Sequence, residues 1–259
     1  MLPTLFISHG SPMLALEPSP ARDFLAGLGM SLPRPQAIVI ASAHWDTPYP
    51  AISAVETNDT IHDFYGFPPA LYAMRYPAPG DSALAQRIET LLRDAGLNAD
   101  LDSARGLDHG AWVPLSLIYP EHDIPVLQVS LQAEQGPEHH LLLGQALTAL
   151  PRENILVIGS GTFTHDLGRL RRATPDVAPA PDVVAFADWM HAALQQNRTG
   201  DLLAYRSKAP HAAAQHPTDE HLMPIFVALG AAGGGARATR LHASTRYGTL
   251  RMDAYAFVA

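Results

Sequence analysis

Residues Ala37–Trp45 read AIVIASAHW. The run begins apolar and β-branched, the pattern of a strand buried on both faces. It ends in small residues, then His44 and Trp45. In an open α/β sheet, ligand sites collect beyond the carboxyl ends of the strands. A histidine at that end is well placed to bind a metal. The pattern recurs: LPTLFISHGSP puts His9 after a short apolar run, and NILVIGSGTFTH puts His165 just beyond another. A fourth histidine, His221, lies in HPTDEHLMPIFVALG. These four are expected to converge on one metal in an enzyme that uses it.

Outward from that stretch, strands are expected at Leu2–Ile7, Ala37–Ser42, Ala51–Val55, Ile124–Leu131 and Ile155–Ile158, with a closing strand over Thr249–Phe257 at an edge. Helices are expected at Ala21–Leu28, Glu138–Leu150, Pro181–Gln196 and Thr218–Leu229. Ser82–Ala95 is amphipathic, with Leu84, Ile88, Leu91 and Leu92 on one face and Gly96 as its stop. GLDHGAW leads into a further short helix through Tyr119, with Asp108 as its N-cap. Thr60–Tyr72, TIHDFYGFPPALY, is too irregular for a regular element and reads as a pocket wall. Strands alternating with helices imply one α/β domain over residues 1–259. Its three layers would be a central, mostly parallel or mixed sheet and helices on both faces.

The chain has 259 residues, 47% of them hydrophobic, enough for a full core. Its formal net charge is −8 with no basic stripe, which argues against nucleic acid as a partner. The absence of cysteine removes disulfides, thiolate metal sites and a cysteine nucleophile. No apolar run is long enough to span a bilayer and no signal peptide is evident, so no membrane partner and a cytoplasmic location are the expectation.

Neutral imidazoles suit zinc, iron(II), copper and nickel. Three from separate strand ends would leave coordination positions open, as catalysis requires. The residues alone leave three uses open: a dioxygenase, a zinc hydrolase working through bound water, and a non-catalytic metal-containing binding protein. Asp219, Glu220 and His221 are adjacent and cannot all face one way on a helix. GSGT (Gly159–Thr162) follows a strand but lacks the rest of a phosphate loop. Ser8 and Ser160 do not sit in GxSxG, so a nucleophilic serine is a weak reading.

Taken in order, HGSPM, LPRPQAIVIASAHW, TIHDFYGFPPALY, YPAPG, GLDHGAW, SGTFTHDL and HPTDEHLMPIFVALGA resemble the LigB-type (class III) extradiol ring-cleavage dioxygenases, in their 4,5-DOPA dioxygenase-like branch. The resemblance runs from Leu2 to about Gly230. It implies an enzyme that opens a catechol ring with O2, using one divalent metal, Zn(II) or Fe(II). By motif, it implies His9, His44 and His221 as metal ligands, with Glu220 as a carboxylate alternative to His221. It implies His165 as the acid/base or a fourth ligand, and His109 as a second catalytic histidine beside the substrate. His62 and Phe64 are expected to border the substrate. A monomer or small homo-oligomer is expected.

Overall fold

The computed structural model describes residues 1–170 and 177–259. The strands are β1 (Thr4–Ser8), β2 (Ala37–Asp46), β3 (Ala51–Ser53), β4 (Asp100–Asp102), β5 (Val126–Leu131), β6 (Ile155–Gly161), β7 (Arg237–His242), β8 (Thr245–Arg246), β9 (Leu250–Arg251) and β10 (Ala254–Val258). The longer helices are α1 (Pro20–Ser31), α3 (Ser82–Asp94), α4 (His109–Ile118), α5 (Gly136–Ala146), α7 (Pro181–Gln195) and α11 (Met223–Ala232). Short ones are α2 (Pro69–Ala73), α6 (Leu167–Leu170), α8 (Thr199–Leu203), α9 (Tyr205–Lys208) and α10 (Ala212–Gln215).

Eight strands form one sheet in the order β4-β3-β5-β2-β6-β1-β10-β7, so both ends of the chain build the same layer. The central four, β5-β2-β6-β1, are parallel. Antiparallel pairs enter at β3–β5, β1–β10 and β10–β7, making the sheet mixed. Strand alternation sends successive side chains to opposite faces. Val39, Ala41 and Val157 pack with Ile88, Leu143, Phe186 and Phe226 of α3, α5, α7 and α11. Ile38, Ile40 and Ile158 pack with Leu25 and Leu28 of α1 and with Trp112 and Val113 of α4. Two cores on one doubly buried sheet make the three layers.

Several boundaries differ from the sequence reading, each for a local reason. The closing strand is not at an edge: β10 lies between β1 and β7. The edge strand on that side is β7, whose alternating half-buried and exposed residues carry too little apolar signal to be read as a strand. The strand is also shorter than Thr249–Phe257, because β9 folds onto β8 before β10 begins. The helix expected from Thr218 starts only at Met223, with Pro224 in its first turn, so His221 sits in the turn before it. The helix expected through Leu150 ends at Ala146, and Leu150–Glu153 forms a separate 3-10 turn. The β2 and β6 strands run on past Ser42 and Ile158, which carries their ends into the functional region.

Candidate metal centre and active site

The carboxyl ends of the parallel strands deliver the histidines. His9 follows β1 directly, and its backbone N–H donates to the Gly161 carbonyl at 2.9 Å, continuing the β1–β6 pairing. His44 is carried by the extended end of β2. His221 arrives from the turn before α11, which crosses β6 closely enough that a Cβ on Gly159 or Gly161 would overlap the carbonyls of Pro224 and His221. The G-S-G run is therefore a packing notch under α11, and the Thr162 N–H fastens it by donating to the His221 carbonyl at 3.0 Å.

His9 Nε2 lies 3.0 Å from His44 Nε2, and His221 Nε2 lies 3.3 Å from the same atom. Two of the outward nitrogens have hydrogen-bond partners. His9 Nδ1 is 3.0 Å from Ser160 Oγ, whose own proton goes to the Gly110 carbonyl, so Nδ1 donates. His221 Nδ1 donates to Glu220 Oε1 at 3.0 Å. His44 Nδ1 faces Asp63 Oδ2 at 3.6 Å. His9 and His221 then each present an Nε2 lone pair to the same point, facing His44 Nε2, which has at most one proton to offer. Lone pairs at this separation cannot satisfy one another. Donors around a tetrahedral zinc, about 2.0–2.1 Å from the ion, sit roughly 3.3 Å apart. The set fits a divalent metal, and all three ligand atoms lie within 4.8 Å of one another.

The electrostatics agree. Burial, followed by the neighbouring imidazoles, holds His9 and His221 well below the ordinary histidine value. Burial and then His109 push His44 down to about 4. The three rings are therefore neutral near pH 7, the form in which imidazole binds metal.

Two further histidines flank this point. His165 stacks on His221 with ring centroids 3.4 Å apart and an interplanar angle of 13°. Burial lowers it to about 4, opposed by the Glu220 carboxylate. His109 opens α4, its ring 3.9 Å from that of His44. A cavity of about 380 Å³ sits over His44, His109, His165 and His221, walled by Phe64, Phe67, Leu167 and Leu250. From the Thr60–Tyr72 segment, Phe64 lines this cavity. His62 does not; it packs edge-on to Phe64 and contacts the Met74 carbonyl at 3.2 Å.

Asp108 corrects the sequence reading. It occupies the N-cap position of α4 but makes no side-chain cap. Its buried carboxylate instead accepts from Ser42 Oγ at 2.7 Å and from Arg105 at 2.9 Å, and also from Gln128. Arg105 also reaches the His44 carbonyl at 3.3 Å, so this network ties down the end of β2. Sequence reasoning gave Asp63 no role. The only local sign was a carboxylate next to the aromatic run HDFYGF. Ser160 was weighed only as a nucleophile, and its buried position under His9 gives it a different task. Asp219 turns away to Tyr205 and Arg206.

Comparison with known proteins agrees with this geometry. The family model described as the catalytic LigB subunit of aromatic ring-opening dioxygenase matches residues 3–257. A protein of Beta vulgaris named 4,5-DOPA dioxygenase extradiol is 44% identical over 260 residues, covering 99% of this chain and 96% of that one. One of the same name from Escherichia coli K12 is 40% identical, covering 90% and 86%. The crystal structure of an uncharacterized E. coli K12 protein superposes with a TM-score of 0.82 at 33% identity, covering both chains fully. With the family model matched almost end to end and relatives this similar, the chain belongs to the LigB family and is an extradiol aromatic ring-opening dioxygenase.

Proposed function

We propose that this enzyme opens catechols of the DOPA type with O2, using one iron(II) ion held by His9, His44 and His221. The observation that carries the reading is the convergence of three histidine Nε2 atoms on one point beneath an apolar cavity. Bound there, the metal supplies Lewis acidity toward the substrate hydroxyls and a redox partner for O2. Zinc has no redox chemistry, yet three neutral histidines suit it well, so zinc is proposed as a competing occupant that does not support turnover.

The protein's own groups do the rest. Phe64 and Phe67 on one wall and Leu250 on another leave a slot suited to a planar ring and keep bulk water from it. His165, neutral because it is buried, takes a phenolic proton from the bound catechol, and the nearby Glu220 carboxylate favours the imidazolium that results. His109 faces the same cavity and accepts a hydrogen bond from the substrate.

The test is anaerobic reconstitution with iron(II), followed by oxygen uptake over a panel of catechols, with zinc-loaded enzyme as control. Uptake matched to a yellow ring-opened product is expected for iron only. No uptake with any catechol, or equal turnover with zinc, would overturn the proposal.

A further inference from the structure

Asp63 comes from the irregular aromatic loop, far in sequence from α4, yet it meets the first residue of that helix twice. Oδ1 accepts from the His109 backbone N–H at 2.9 Å, and Oδ2 accepts from His109 Nδ1 at 2.9 Å. The first bond caps α4, the task its own N-cap residue Asp108 does not perform. The second fixes a tautomer. A carboxylate can only accept, so in the neutral ring the proton stays on Nδ1 and the Nε2 lone pair faces the cavity.

Building on the dioxygenase reading above, we infer that Asp63 is a positioning residue that makes His109 the second proton acceptor of the site. A catechol carries two O–H groups, and two imidazoles, His165 and His109, face the cavity that receives it. One hydroxyl breaks its O–H bond as an N–H forms on His165. The other does the same at His109 Nε2, and the Asp63 carboxylate stabilises the imidazolium so formed. Asp63 touches no substrate; it acts through the ring it orients.

Asp63→Asn is isosteric but changes the acceptor pattern. One amide oxygen cannot serve both donors, so with the oxygen on the backbone N–H the amide NH2 faces Nδ1. The ring must then move its proton to Nε2, where it can only donate. A wrong-tautomer histidine produced in this way in a serine protease lowers kcat by about 10⁴.

The experiment is ¹⁵N NMR of histidine-labelled, zinc-loaded protein, joined to steady-state kinetics of the iron(II) form and metal analysis. In the wild type, His109 should show a protonated Nδ1 and a bare Nε2. In Asp63→Asn the two should exchange, metal content should hold, and kcat should fall at least about 10²-fold with KM changed far less. A protonated Nε2 in the wild type overturns the inference without any variant. So does a variant with unchanged tautomer, or with kcat within threefold of wild type. Metal loss from Asp63→Asn would also overturn it, assigning Asp63 to His44 instead. The NMR result is independent of turnover, so a wild type inactive on catechols would count against the proposed function and not against the tautomer.

Discussion

Replacing Ser160 by Ala tests whether the lone pairs at the metal point are set from behind. Ser160 is fully buried, and its Oγ accepts from His9 Nδ1 while donating to the Gly110 carbonyl. Without Oγ, both groups lose a partner in a place water cannot reach, at about 1–3 kcal/mol for each unsatisfied group. The metal-free protein has an escape. His9 can move its proton to Nε2 and donate across the 3.0 Å gap to His44 Nε2. The metal-bound protein has none, because Nε2 must then be bare and Nδ1 protonated without an acceptor. The penalty therefore falls on the bound state. We expect zinc affinity to drop by about 10–100-fold, the range found when a partner behind a metal-binding histidine is removed. Competition with a chelator of known affinity at neutral pH would measure it, with circular dichroism confirming the fold. Affinity within twofold of wild type would refute the argument that Ser160 sets the His9 tautomer.

Other expectations are open to direct measurement. Replacing His44 by Ala should strip the bound metal, whereas His165→Ala should keep most of it, lose roughly 10²–10⁴ in ring-opening rate and recover partly as pH rises. Equal metal loss in both would make His165 an essential ligand. Gly110→Ala would set a Cβ about 3.0 Å from the His44 ring and 3.1 Å from that of His9, and on top of Ser42 Oγ. Displacing both rings at once should lower kcat/KM by at least about tenfold, and a fully active variant would contradict the packing. His140 is buried and neutral at about 4, accepting from the Gln132 N–H and facing the Gly136 carbonyl through Nδ1. The unfolded chain takes this proton first, near pH 6.5, so stability is lost as pH falls from there toward 4, by on the order of 3 kcal/mol. Urea midpoints across that range should show the slope, and His140→Gln should remove one histidine's share of it, leaving that of the other buried imidazoles.

The strand-end positions of His9 and His44 were legible because they follow from short-range pattern. A buried apolar run closing on histidine marks the end of a parallel strand, and β1 and β2 display it, whereas His165 lies four residues beyond the end of β6. The amphipathic period of α3 and its glycine stop were legible for the same reason. What escaped depends on contacts between distant segments. Asp63 and His109 are 46 residues apart, and nothing in either segment announces that they meet. The cap of α4 escaped because Asp108 had the right residue type at the right place, but the half-buried Arg105 and the buried Ser42 hold its carboxylate more firmly than a helix N–H would. The β7 strand escaped because an edge strand with one solvated face has little apolar signal to read.

Pro114 shows how a local oddity becomes part of the site. A proline inside α4 removes the N–H that would normally reach back to the Gly110 carbonyl. In a buried helix that carbonyl needs another donor, and Ser160 Oγ–H supplies it from β6. Its proton thus committed, Ser160 can only accept from His9, which leaves His9 Nε2 bare toward His44. The same glycine, lacking a side chain, lets α4 lie against the rings of His9 and His44. One backbone position therefore links the helix defect, the close packing and the ligand tautomer. The next residue back, His109, receives its orientation from Asp63 in the loop. The start of α4 is thus tied from both sides, by β6 below and by the aromatic loop above, and each tie fixes which nitrogen of a histidine is free to act.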